Sequence, residues 1–132
     1  MHAYFQFIRN LYGLFLFMIC CSVSSAQIPT VSSGTIRRIE KFPSQYVDAR
    51  HVDVWLPEGY GGGKKYNVLY MHDGQMLFDA SLAWNKQVWE IDEAFGELYK
   101  KGRIRECIVV GIWNSEANRD IDYIPQKPFE SL

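Results

Sequence analysis

Two unbroken apolar runs, Asn67–His72 and Cys107–Ile112, constrain this chain more than any other feature. Neither alternates with polar residues, so each reads as a strand covered on both faces, as in parallel sheets. Between them Val88, Ile91, Phe95 and Leu98 recur at helical spacing, and Ala94 and Tyr99 widen the stripe. Glu90, Asp92 and Glu93 crowd the start of that segment, while Lys100, Lys101 and Arg103 crowd its end. Both biases suit a helix dipole, and Gly102 is a natural stop. A helix between two buried strands is a parallel crossover.

The residues before the first run read as an antiparallel pair. Ala49–Leu56 alternates, with Val52, Val54 and Leu56 on one face and His51, Asp53 and Trp55 on the other. Gly34–Phe42 is extended too, although Ile36, Ile39 and Phe42 fit either a bulged strand or a helical turn. Pro43-Ser44-Gln45 marks a turn, and Pro57–Gly63 ends the second strand in a flexible, glycine-rich loop. That loop does not lead into a helix of phosphate-loop form. The expected order is β-β-β-α-β, and the fold class is α/β.

The first 26 residues differ from the rest. Arg9 stands among residues without an acid, Leu11–Cys21 is almost wholly apolar, and small residues follow at Ser24 and Ala26. This is the pattern of a cleaved secretory signal, and the apolar run is short for a permanent span, which needs roughly 20 residues. The expectation is a signal peptide at 1–26, a mature unit at 27–132 that is secreted or periplasmic, and no stable membrane span after cleavage. Cys20 and Cys21 would leave with the signal; of the three cysteines, Cys107 remains and reads as a small core residue. The formal charge is −1 with dispersed basic residues, which argues against a nucleic-acid partner.

The stretch Met71–Asp79 carries most of the chemistry. It lies where the third strand ends, and open α/β sheets bind ligands beyond the carboxyl ends of their strands. Gly74 directly after a buried strand permits a sharp turn, and amides fixed in such a turn can stabilise an oxyanion. His-Asp-Gly also makes an ordinary turn. Asp73 and Asp79 read as acceptors that order the loop rather than as an acid/base pair. His72 and Asp73 do not reach the three or four ligands of a metal site, and no cofactor motif is present. His51 reads as outward-facing, and Trp89 as a core residue of the helix. Trp84 and Trp113, in or near loops, are open to core or cleft roles.

The blocks LYMHDGQMLFD, WEIDEAF, IVVGIWN and RDIDY, in that order, resemble the opening of a family of serine esterases. It includes enterochelin-type esterases, feruloyl and acetyl-xylan esterases and mycolyltransferases. The resemblance covers roughly residues 50 to 123. It implies an α/β-hydrolase fold, with the backbone amide of Gln75, presented by Gly74, as one of two oxyanion donors. It also places the Arg119–Tyr123 block in the loop near the substrate entrance; Trp84 and Trp113, read from their own loop positions, are further candidates for a substrate cleft. The family's nucleophile sits in a Gly-x-Ser-x-Gly elbow, and no serine of this chain has those flanks. No catalytic serine, histidine or acid is therefore assigned. The expectation is a half-device, inactive alone, whose C-terminal half is missing and whose full-length relative acts on a small-molecule or glycan ester. The competing readings are an extracellular glycan-binding module and a half-domain that completes its sheet with a partner chain.

Overall fold

A computed structural model describes residues 27–124; the expected signal peptide lies outside the described residues. Four strands form one mixed sheet: β1 (Thr35–Phe42), β2 (Arg50–Leu56), β3 (Asn67–Met71) and β4 (Cys107–Ile112), in the order β1-β2-β4-β3. The β1–β2 and β2–β4 pairs are antiparallel, whereas β3 and β4 run parallel with Asn67 opposite Cys107. The connection from β3 to β4 carries α1 (Ile91–Lys100), so the parallel crossover is present and the fold is α/β. A short helix, α2 (Arg119–Tyr123), follows β4 after one 3₁₀ turn.

The irregular spacing in the first strand is a bulge. Its register shifts between Ile39 and Phe42, Lys41 takes a φ of 47°, and the Lys41 amide donates to His51 Nδ1 at 3.3 Å. His51 therefore does not simply face outward. It closes the bulge, and its ring meets Trp113 edge-on at 5.2 Å.

The main core cluster lies on the Trp55 face of β2, although Val52 and Leu56 of the other face are buried too. Trp55 and Val109, both fully buried, pack with Leu77, Phe78 and Ile91, and Phe95 of α1 meets the Trp55 ring at 6.0 Å. Trp55 reaches that position because its Nε1–H donates to the Ser33 carbonyl at 2.7 Å. Asp53 shares this face and is fully buried beside Arg38, with Nη2 to Oδ2 at 2.7 Å. Alternation alone does not reveal that a face carrying a tryptophan and a paired carboxylate is covered as well.

The helix also differs from its hydrophobic stripe. It begins at Ile91, because the Trp89 and Ile91 amides donate to the Met76 and Leu77 carbonyls at 3.0 and 3.1 Å, outside the helix, and Glu90 between them takes a left-handed φ of 51°. Its buried residues are Ile91, Asp92 and Gly96, while Ala94 and Leu98 are exposed. The rotation follows from two contacts: Asp92 Oδ2 accepts from the Ser32 amide and hydroxyl at 2.6 and 2.9 Å, and Gly96 lies against Ser33. Gly102, with φ 63°, ends the helix as expected, its amide donating to Tyr99 at 2.8 Å.

The two buried-type strands differ in fate. Val109 and Gly111 of β4 are buried, but β3 stands at the sheet edge with Val68, Leu69 and Tyr70 exposed. The sequence of β3 is that of a covered strand, and without the expected C-terminal half its edge is expected to stand open. Among the described residues β3 pairs only with β4, and nothing packs over its outer edge. Cys107 is half-buried, and that burial pushes its thiol pKa up, as suits a packing residue rather than a nucleophile.

Candidate active site

The end of β3 leads through His72 and Asp73 into one 3₁₀ turn, Gly74–Met76. Its hydrogen bonds begin late: Met76 N donates to the Asp73 carbonyl at 2.8 Å and Leu77 N to the Gly74 carbonyl at 3.4 Å. The amides of Gly74 and Gln75 precede the first of these bonds, the position at which helical turns leave N–H groups without intrahelical acceptors.

Glycine at 74 serves a purpose other than left-handed backbone. Asp73 takes the left-handed conformation, with φ 53° and ψ 46°. At Gly74 an added Cβ would lie 2.6 Å from the Gly111 carbonyl and 2.8 Å from Trp113 Cδ1. Two backbones cross here without side chains between them, which lets the turn rest directly on the end of β4.

Asp73 is the hub of the site. Its carboxylate accepts from Asn114 Nδ2 at 2.7 Å, Arg119 Nε at 3.1 Å, Arg119 Nη2 at 2.7 Å and the Tyr123 hydroxyl at 3.0 Å. The Arg119 hydrogen bond is the main reason that its pKa falls from 3.8 to about 2; Asn114 and Tyr123 add to the effect and burial opposes it. Tyr123 is pushed up, first by burial and then by its bond to this carboxylate. An acid so strongly ionised, with its oxygens engaged, orders the loop and does not shuttle protons at neutral pH. Asp79 does similar work nearby, accepting from the Thr30 amide at 2.9 Å and from the Ser81 amide and hydroxyl at 2.8 and 2.6 Å.

A cleft of about 730 Å³ opens beside the turn, lined by Gln75, Met76, Trp84, Trp89, Asn114 and Arg119 among others. Trp84 is 85% exposed and Trp89 61% exposed, so both present indole to solvent at this cleft. The expectation that Trp89 is a core residue of the helix fails, because it lies before the helix start, its amide tied to the Met76 carbonyl. Trp113 takes the opposite role. Its Nε1–H donates to Asp53 Oδ2 at 2.8 Å, the Arg38 guanidinium lies 4.6 Å from its ring, and it does not line the cleft. Arg119 lines the cleft and stacks at 5.0 Å over the Tyr123 ring, which meets the His72 ring at 5.1 Å.

Asn114 and the Arg38–Asp53 pair were not singled out from sequence. An asparagine just past a strand end is a weak signal, and Arg38 opposite Asp53 becomes visible only once the β1–β2 register is known. Among the described residues there is no group of three His, Cys, Asp or Glu side chains placed to hold a metal ion. Nor is any helix among them long and apolar enough to cross a membrane.

Comparison with known proteins gives this geometry a family. The family model described as "Putative esterase" matches residues 44–131, two-thirds of the chain. The chain belongs to this esterase family. Among solved structures it is similar to the ferulic acid esterase AmCE1/Fae1A of Anaeromyces mucronatus in complex with ferulic acid, at 28% identity and a TM-score of 0.41, covering 69% of this chain and 32% of that one. The same enzyme without substrate is 29% identical, with a TM-score of 0.42 over 69% and 33% of the two chains. This esterase-family chain thus spans about a third of the length of those enzymes. No curated protein matches it.

Proposed function

We propose that this chain supplies the oxyanion-stabilising turn of a serine carboxylic-ester hydrolase that is exported from the cytoplasm. The observation that carries the reading is the Gln75 amide. It follows the end of a parallel strand, precedes the first hydrogen bond of its turn, and belongs to a residue lining the cleft. A carbonyl oxygen that gains charge as a nucleophile adds to an ester needs such a donor, fixed in advance.

In this reading the nucleophile, its base and the orienting acid are not among these 132 residues, and the chain alone is inactive. The exposed indoles of Trp84 and Trp89 favour an ester with a flat aryl or sugar ring, since such rings stack on aromatic faces. Arg119 and Tyr123 act on the substrate indirectly, through the loop that they hold. Export rests on the signal-like pattern of residues 1–26.

The test compares this chain with the longest product of its reading frame. The 132-residue chain should hydrolyse an aryl acetate no faster than buffer. A longer product with a Gly-x-Ser-x-Gly elbow should turn over the ester and be silenced by a serine-directed phosphonate. Within it, Gln75→Pro deletes the amide hydrogen and should lower kcat by about 10²–10³ with little change in KM. Serine-dependent turnover by the chain alone, or an undiminished kcat in Gln75→Pro, overturns the reading.

A further inference from the structure

Each of three consecutive residues of the turn meets the segment that leaves β4. Asp73 accepts from Asn114 Nδ2 at 2.7 Å, Gly74 approaches Trp113 too closely for a Cβ, and Gln75 Oε1 accepts from the Asn114 amide at 3.2 Å. Arg119 and Tyr123 then close on the same Asp73 carboxylate from α2. The turn needs outside support, because it is one 3₁₀ turn of three residues with a single short backbone bond. A donor that can swing away has little of the value of one already aimed at the developing charge.

We propose that Asp73 is a positioning residue, which fixes the aim of the Gln75 amide by clamping the turn to Asn114, Arg119 and Tyr123. The inference rests on the oxyanion reading above and adds to it the residue that holds the donor. Asp73 does not reach the reacting atoms, because donors from three residues occupy its carboxylate. Its left-handed backbone aims the chain into the turn, and its side chain then locks the result. Both Arg119 contacts use the guanidinium edge, so this arm fixes orientation as well as distance.

Two substitutions separate the carboxylate from the backbone. Asp73→Gly keeps the left-handed conformation accessible and removes the clamp, whereas Asp73→Asn keeps an acceptor and tolerates the same backbone. In the catalytically competent longer product, Asp73→Gly should lower kcat by up to about 10²-fold at unchanged KM, the scale expected for an ångström of misplacement. Asp73→Asn should recover part of that loss. In a Gln75→Pro background Asp73→Gly should cost less than about twofold further, because its target is already gone. Full additivity overturns the clamp and leaves the oxyanion reading intact, while a silent Gln75→Pro overturns the reading itself.

The clamp is also read without turnover, in the 132-residue chain at low concentration, by hydrogen exchange and mass spectrometry. The peptide spanning 72–78 contains the Met76 and Leu77 amides bonded inside the turn. Their exchange should quicken about tenfold or more in Asp73→Gly, stay near wild type in Asp73→Asn, and leave β4 unchanged. Exchange of that peptide at the wild-type rate in Asp73→Gly overturns the proposal.

Discussion

At Asp73 a backbone conformation that costs most side chains about 1–2 kcal/mol is held by hydrogen bonds to the carboxylate. The pH dependence follows from the depressed pKa. A carboxylate that titrates near 2 in the folded chain and at 3.8 when free contributes stability above pH 3.8 and loses it as pH falls towards 2. Because Arg119 is 45% exposed, solvent screening reduces that contribution to on the order of 1 kcal/mol. Hydrogen exchange of the 72–78 peptide, corrected for intrinsic rates, should show protection falling across that window and level above pH 4. Arg38 is paired with the fully buried Asp53. Arg38→Met leaves that carboxylate with Trp113 as its side-chain donor among the described residues and should destabilise by about 3–5 kcal/mol in urea unfolding. The double variant Arg38→Met/Asp53→Leu should recover much of the loss, and an Arg38→Met chain as stable as wild type would refute the argument.

At the scale of elements, the crossing of the 3₁₀ turn over β4 is the tightest join in the site. Gly111 faces Leu77 Cδ1 and the Gly74 backbone, and Gly74 faces Gly111 in return. The neighbours of Gly74 here are backbone and an indole already tied to Asp53, so neither yields cheaply. Gly74→Ala should therefore displace the turn and cost about 1–3 kcal/mol. Its signature is a changed indole signal of Trp113 in heteronuclear NMR, and unaltered spectra would show that the turn has room. Much of the element order was legible from local pattern: both apolar runs are strands, and the glycine stop and the basic helix end stand where the sequence places them. The helix start was not legible, because Met76 and Leu77 set it by accepting from Trp89 and Ile91, residues more than ten positions away in the chain.

For the molecule as a whole, the order β1-β2-β4-β3 puts an apolar strand at one edge. Tyr70 is 69% exposed on β3, and Val68 and Leu69 are exposed beside it. A flat apolar edge invites strand addition, so this chain should associate at micromolar concentration. Tyr70→Lys should slow the growth of light scattering severalfold without loss of far-ultraviolet strand signal, because charge on an edge strand opposes pairing. Unchanged aggregation would place the association elsewhere on the surface.

The sequence by itself determined the α/β class, the antiparallel pair, the parallel crossover and the position of the turn that carries Gly74 and Gln75. Each of these depends on periodicity or on a residue's own backbone preference, which neighbours in sequence reveal. Only the tertiary structure decided that Trp113 is bonded to Asp53 and Trp89 lines the cleft, that Trp55 and Asp53 face the main core cluster, and that Asp73 is a hub. Those outcomes depend on polar groups finding partners: Arg38 for Asp53, Asp53 for Trp113, and Asn114, Arg119 and Tyr123 for Asp73. The partners lie 15 to 60 residues apart in sequence, and only the folded register brings them within hydrogen-bond reach.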